Sequence, residues 1–342
     1  MAETMRAWQI SGPGPIEKTM RLEEDMKRPS AADLKQGQVL VKVVRAAINP
    51  ADYKLPEMGQ ATRAMVGYPR TPGMDLAGIV EAVGPEVGDV VKKGDAVMAR
   101  RDPMKPSGSL AEYLVLESGT WAPAVGANLD EAAGAVTTAL TAYQCIAPYV
   151  KEGDKVFING GGGGLGTCGI QIGKLLGCHV TVSCSTEKAQ FCKELGADVV
   201  IDYKKEDVTA ELIKQGADKA VLVDNVGNSP SDLYRRCDKI LVPTGPYIFV
   251  GGRVSPGTIF NLASSLARPS FLGGQSRKFV TFFTKTVEED LEQIANWISE
   301  GKFKTIIDST FGFEEVQEAF AKLRTDKCRG KVIIRVADAK DV

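Results

Sequence analysis

The run Lys155-Val156-Phe157-Ile158-Asn159 passes straight into Gly160-Gly161-Gly162-Gly163-Gly164-Leu165-Gly166, and a helical apolar pattern through Ile170, Leu175 and Leu176 leaves it. Such a stretch reads as a strand, a glycine turn and a helix. Within the turn, Gly161, Gly163 and Gly166 have the spacing G-x-G-x-x-G. Glycine is frequent in this chain (36 of 342 residues), so spacing alone decides little; the apolar segments on both sides carry the argument, because a flexible linker would not join them. Glycines let the backbone turn tightly and approach a pyrophosphate, and the N–H groups that open the helix bind its charge. The segment is therefore expected to hold a dinucleotide, with Gly161, Gly163, Gly164, Leu165 and Gly166 as its cradle.

The chain beyond the turn has the matching rhythm. Strands are expected at 155–159, 179–184, 198–202, 220–224 and 245–250, with helices near 166–177, 186–195, 206–215 and 230–239. Regular alternation of this kind predicts an α/β, doubly wound parallel sheet. The first third differs. Short strand runs (Met5 to Ile10, Gln38 to Val44, Gly78 to Gly84, Gly94 to Val97, Gly108 to Val115) are separated by glycine and proline signals and predict an irregular β-rich domain. Asp130-Glu131 opens a helix. After about Gly252 the alternation stops. Amphipathic helices are expected over Val287–Ser299 and Phe313–Leu323, and a last strand over Gly330–Val336 that pairs back with the first domain and makes it discontinuous.

Composition excludes several classes. Net charge is −1, which gives no electrostatic case for nucleic acid or an anionic membrane as partner. No apolar run is long enough to span a bilayer. No cleavable leader is visible before the first strand, so a cytoplasmic protein is expected, with an organelle open through an internal signal. The seven cysteines form no C-x-x-C pair and read as buried thiols in a reducing compartment. With one histidine, His179 at a strand start, a zinc site has few available ligands.

Taken in order, Asn49-Pro50-x-Asp52, Gly73-x-Asp75-x-x-Gly78, Gly94-Asp95-x-Val97, Gly108-Ser109-Leu110-Ala111-Glu112-Tyr113, Thr141-Ala142, the glycine turn, Leu195-Gly196-Ala197-Asp198 with Ile201-Asp202-Tyr203, Asp224-x-Val226-Gly227 and Gly330-Lys331-Val332 resemble the zinc-free medium-chain dehydrogenase/reductases of the zeta-crystallin-like quinone oxidoreductase type and their alkenal and enone reductase relatives. The resemblance covers nearly the whole chain. Lys304 to Ser309 is most similar to the chloroplast-envelope and mitochondrial reticulon-interacting groups. It implies a GroES-like substrate domain made of residues 1–128 and 266–342, and a Rossmann domain over 129–265. Zinc-dependent relatives carry Gly-His-Glu where this chain has Gly73-Met74-Asp75, and a four-cysteine loop that is absent here. Without zinc, a simple alcohol lacks the Lewis acid its oxidation needs at neutral pH. The implied activity is hydride transfer to the activated C=C of an α,β-unsaturated ketone or aldehyde, or to a quinone. An enoyl-thioester reductase and a non-catalytic NADPH-binding protein are the alternatives.

NADPH is the expected cofactor. NAD enzymes place an acid at the end of the second strand to bind the ribose 2′-OH, and here that strand ends Val182-Ser183-Cys184-Ser185-Thr186. The resemblance assigns Ser185, Lys188 and Tyr203 to a 2′-phosphate, Asn225 to the ribose, and Thr141, Val250 and Gly251 to the neighbourhood of the nicotinamide. Substrate is expected in the cleft between the domains. Asn49, Tyr53 and Lys54 lie in the segment resembling the family's Asn-Pro-x-Asp-Trp-Lys, with Tyr53 in place of Trp. Asn49 is a candidate to orient substrate or ribose. Tyr53, Lys54 and also Tyr68 are candidates to donate a proton to the carbonyl oxygen, and Asp52 to make a structural hydrogen bond. Phe279, Phe282 and Phe283 are expected in core packing, an apolar pocket or a subunit contact; Arg277 and Lys278 are candidates to meet an anion. A monomer or homodimer is expected.

Overall fold

The computed structural model describes residues 3–88, 90–227, 229–251 and 276–337. Its contacts divide the chain into two units, Met1–Leu140 with Thr286–Val342, and Thr141–Lys285. The first division lies later than the expected 128/129 because one helix, α4 (Leu129–Ile146), runs through it. The expected boundary at 265/266 lies outside the described residues, as does Phe271.

The first unit is β-rich. A ribbon of β1 (Thr4–Ile10) and β2 (Met20–Lys27) stands beside a seven-stranded sheet. That sheet runs β14 (Ile307–Gly312), β15 (Lys331–Arg335), β3 (Val39–Ile48), β4 (Asp75–Val83), β5 (Ala96–Arg100) and β7 (Trp121–Pro123), with β6 (Tyr113–Leu116) also paired to β3. Helix α1 (Ile16–Thr19) joins the two strands of the ribbon, and α2 (Pro50–Glu57) and α3 (Ala61–Met65) lie between β3 and β4. Strand β3 is the spine, with eight of its ten residues buried, so both of its faces meet apolar neighbours. Strand β15 lies antiparallel to β3, Val332 opposite Ile48, and parallel to β14. The domain is thus discontinuous. Of two helices late in the chain, α8 (Glu288–Ser299) and α9 (Val316–Leu323), the second buries Val316, Ala319 and Phe320, the i, i+3, i+4 positions of one helical face.

The second unit carries a six-stranded sheet in the order β10 (Val199–Asp202), β9 (His179–Cys184), β8 (Lys155–Asn159), β11 (Lys219–Asp224), β12 (Tyr247–Phe249), β13 (Phe279–Thr281). Every pairing is parallel. Helices α5 (Gly164–Leu175), α6 (Thr186–Glu194) and α7 (Val208–Gln215) provide crossovers. The chain starts in the middle at β8, moves outward to β10, then returns to the other side at β11. This makes a topological switch point at the carboxyl ends of β8 and β11, where open sheets bind ligands.

The helix expected near 230–239 is instead a series of turns ending in a 3-10 turn, Cys237–Lys239. Its apolar spacing reflects burial of Leu233, Tyr234, Cys237, Ile240 and Leu241 in one core cluster, not helical hydrogen bonding. The Arg277 guanidinium donates to the carbonyls of Asp238 and Leu241 and to the Ser276 hydroxyl. Phe279 stacks in the same core on Tyr247 and meets Tyr234 edge to face, Phe282 packs against the neighbouring cluster, and Phe283 is exposed.

Candidate functional site

The glycine turn is shaped by contacts that tolerate no side chain. Gly160 takes φ +86°, a left-handed conformation that favours glycine. A Cβ on Gly166 would strike the Gly160 carbonyl and the Gly161 backbone, and one on Gly161 would come within 2.7 Å of the Val182 Cβ. The turn is therefore pressed against both helix and sheet. Strand β9 holds it by two bonds: Gly160 N–H donates to Ser183 Oγ at 3.0 Å and Gly161 N–H to the Ser183 carbonyl at 2.8 Å. Helix α5 begins after Gly163 with no side-chain cap, so its opening N–H groups are not taken by a capping oxygen.

A buried polar ladder crosses the carboxyl ends of β9, β8 and β11 and reaches Tyr247, the first residue of β12. Ser183 Oγ donates to Asn159 Oδ1 at 2.5 Å, and Asn159 Nδ2 donates to Asp224 Oδ1 at 2.9 Å. Tyr247 donates its hydroxyl to Asp224 Oδ2 at 2.6 Å. Burial and the adjoining Asp224 carboxylate push the Tyr247 phenol well above its usual range. The same carboxylate accepts the N–H groups of Val226 and Gly227 at 3.0 and 3.1 Å. Between them stands Asn225. Its side-chain Oδ1 and Nδ2 are both buried and both without a hydrogen-bond partner among the described residues. Leaving a buried amide unmatched costs about 1–3 kcal/mol. An uncapped helix N-terminus, a turn that excludes Cβ atoms and an unmatched amide at the switch point together fit a ligand with phosphates and ribose hydroxyls.

In the first unit, Asp75 gathers a second buried cluster. Its Oδ2 accepts from Asn49 Nδ2 at 2.8 Å and pairs with the Lys331 ammonium at 3.3 Å; its Oδ1 accepts from the Thr137 N–H and hydroxyl. Lys331 also donates to Asn49 Oδ1 at 2.5 Å. Arg100 Nε donates to the Thr137 hydroxyl. Asp52 accepts the Asn49 N–H at 2.7 Å, a bond that opens helix α2. Burial, more than the nearby Asp75, pushes the Asp52 carboxyl up to about 7. Among the described residues, no three His, Cys, Asp or Glu side chains come together as a metal site.

Residues 35–127 match the family model for the alcohol dehydrogenase GroES-like domain, and residues 195–334 match that for zinc-binding dehydrogenase. A trans-enoyl reductase of Aspergillus terreus, pgmF, is 42% identical over 97% of this chain and 96% of its own. The chain belongs to the quinone-oxidoreductase-like medium-chain dehydrogenase/reductases. The NADPH-dependent alkenal/one oxidoreductase of Arabidopsis thaliana chloroplasts is 32% identical, covering 96% of this chain and 79% of that protein. The structure of the quinone oxidoreductase from Coxiella burnetii superposes with a TM-score of 0.81 at 28% identity, over 98% of this chain and 100% of that one. As a medium-chain dehydrogenase/reductase, the protein is an oxidoreductase that uses a nicotinamide cofactor.

The expected cofactor residues of this medium-chain reductase gather at the carboxyl end of its parallel sheet. Ser185 precedes α6, and its hydroxyl bonds the Glu187 carboxylate, which lowers the pKa of that acid. Lys188 Nζ donates to the Gly162 carbonyl at 3.0 Å. The backbone of Tyr203 donates to the Cys184 carbonyl at 3.1 Å and its ring is exposed. Val250 N–H donates to the Asp224 carbonyl, which sets Gly251 just beyond β12. Thr141 is buried, with its hydroxyl 2.5 Å from that of Thr284.

The expected catalytic residues are placed differently. The Asn49 side chain is buried and committed to Asp75 and Lys331. Tyr53 is a core residue, its ring edge-on to Phe320 and covered by the Arg324 guanidinium 4.1 Å from its centroid. Lys54 is exposed on α2, and Tyr68 lies 3.2 Å from the Thr62 hydroxyl. The ladder residues Ser183, Asn159 and Tyr247 carry no motif; the available signal was a polar residue ending an otherwise apolar strand, as Asn159 ends β8.

Proposed function

We propose that this protein is an NADPH-dependent reductase that delivers hydride to the β-carbon of a C=C conjugated with a carbonyl, in an enone or enal, or to a quinone. The observation that carries the cofactor reading is the end of β9. The strand itself ends without an acid and Ser185 follows it; Glu187 comes only in the next helical turn, where it bonds the Ser185 hydroxyl, while Lys188 lies across the adjoining glycine turn. A 2′-phosphate needs donors and positive charge, which a carboxylate at this place would oppose. In this reading Gly161, Gly163, Gly164, Leu165 and Gly166 face the pyrophosphate, Asn225 matches its amide to the ribose, and Ser185, Lys188 and Tyr203 meet the 2′-phosphate. Bound nicotinamide supplies the hydride; the protein supplies position and a site shielded from water.

The substrate class rests on the relatives. One at 32% identity is named for alkenals and enones, and one at 42% for trans-enoyl reduction. The second name favours an enoyl thioester as the other reading, with the same hydride acceptor carbon. Both are named as enzymes, which favours turnover over a purely nucleotide-binding role. We further propose that the reaction runs without zinc. Where zinc-dependent relatives carry His-Glu, Met74 offers no such ligand and Asp75 is already paired with the Lys331 ammonium. NADPH oxidation followed at 340 nm against enals, enones, quinones and enoyl thioesters tests the substrate reading. Preference for an enone or enal supports the first reading, preference for thioesters supports the second, and no turnover with any of them overturns both. Activity that falls with a chelator and returns with zinc overturns the metal-free part.

A further inference from the structure

In the fingerprint G-x-G-x-x-G, Gly162 occupies the first free position, where the motif asks for no glycine. Its backbone does not ask for one either, because its φ lies outside the left-handed range that Gly160 adopts. What it meets is Lys188. A Cβ built on Gly162 would stand 2.5 Å from Lys188 Cδ, 3.0 Å from its Cβ and 3.3 Å from its Cγ. The lysine stem thus lies flat on the bare Cα, and its ammonium donates to the Gly162 carbonyl at 3.0 Å. Lys188 is the third residue of α6, its N–H bonded to the Ser185 carbonyl at 2.9 Å, so its Cα cannot retreat from the turn.

We infer that Gly162 is a specificity-determining residue: its missing side chain seats Lys188 across the glycine turn, and this seating sets the preference for NADPH over NADH. The inference rests on the reading that Lys188 meets the 2′-phosphate. An unrestrained lysine side chain loses up to about 2 kcal/mol of rotamer entropy when it is fixed. Here the seat fixes it before the cofactor arrives, which is preorganisation for the phosphate. A methyl at 162 would meet only side-chain atoms of Lys188, whose Cδ and Cγ can swing away and whose Cβ need give by only a few tenths of an ångström, so the fold should survive. This distinguishes Gly162 from Gly166, whose Cβ would meet backbone.

The experiment measures Kd for NADPH and for NADH by calorimetry in the parent, Gly162→Ala, Lys188→Ala and the double variant, with thermal melting to confirm folding. The ratio of NADH to NADPH Kd should fall about tenfold in Gly162→Ala, in line with loss of a charge-assisted hydrogen bond. It should fall at least as far in Lys188→Ala, and no further in the double variant. Gly162→Ser carries the same obstructing Cβ and must lower the ratio too, which keeps the test open if the alanine variant melts early. A ratio lowered by Lys188→Ala but held by both position-162 variants overturns the role of Gly162 and leaves the NADPH reading standing. A ratio held by Lys188→Ala overturns both. Additive losses in the double variant show that Gly162 acts on the turn itself, and also overturn the inference.

Discussion

The two units each bury a polar network at the end of their strands, and the networks end differently. Around Asp75, the side-chain atoms of Asn49, Lys331 and Thr137 satisfy one another. Around Asp224, the ladder from Ser183 to Tyr247 is equally well bonded, but the asparagine it carries, Asn225, has both amide atoms unmatched. Asn49 and Asn225 are the same residue type, each at the end of a strand. One closes a network; the other is unmatched among the described residues, which supports the proposal that it meets the cofactor. Residue type nominates a site, and the balance of donors and acceptors decides it.

The largest effect should come from opening the closed network. Lys331→Ala leaves the fully buried Asp75 carboxylate without its cation, and should cost about 3–5 kcal/mol of stability. Urea denaturation followed by tryptophan fluorescence reads this directly, because Trp8, Trp121 and Trp297 all lie in the first unit. A loss below about 1 kcal/mol would show that the cluster does not hold the fold.

Next comes its pH dependence. The unfolded Asp52 carboxyl titrates near 3.9, and the folded one is pushed up to about 7 by burial. Between those values the folded protein keeps a proton that the unfolded chain has lost. The group's contribution is therefore full below about pH 4 and declines as pH rises through about 7, by at most about 1.4 kcal/mol per pH unit. Asp52→Asn cannot ionise and should lose this decline, so its stability relative to the parent rises from pH 4 to pH 8. Parallel pH profiles would remove Asp52 from the account.

The open network should respond in the opposite sense. Asn225→Ala removes an unmatched amide, so the cofactor-free protein should hold its stability or gain up to about 1 kcal/mol, while NADPH affinity falls about tenfold. Thermal melting and calorimetry separate the two. A destabilised protein with unchanged affinity would make Asn225 structural, like Asn49. The smallest effect is expected at Tyr53. Its ring packs in the core against Phe320 and Arg324, so Tyr53→Phe should keep turnover within about twofold of the parent on an enone. A clear loss of turnover with NADPH affinity intact would return the hydroxyl to the chemistry.

The alternation of strands and helices and the glycine turn were legible because their signals are local. Strand, turn and helix succeed one another within 155–175, and the alternation after them has the period of its own elements. The difference between Asn49 and Asn225 was not legible. The ammonium that occupies Asn49 lies 282 residues away in the chain, and the chain beyond residue 286 also supplies the Phe320 that covers Tyr53. The segment 230–239 misled for a related reason. Its apolar spacing records which side chains reach the core, and short turns can meet that demand as well as a helix does. Gly162 is one more glycine in a run until the side chain lying on it is placed.

Strand β15 places a condition on how the protein is made. The half of β3 from Arg45 to Ile48 takes its partner from Val332 to Arg335. At ribosomal rates of about 5–20 residues per second, the 282 residues between Asn49 and Lys331 take roughly 14–56 s to synthesise. Through that interval an apolar strand waits with half an edge unpaired, the kind of surface that invites pairing with other chains. The parallel sheet needs no such wait, since all its strands fall between residues 155 and 281. The nascent chain therefore completes its middle first, and the beginning becomes fully native only when the end arrives.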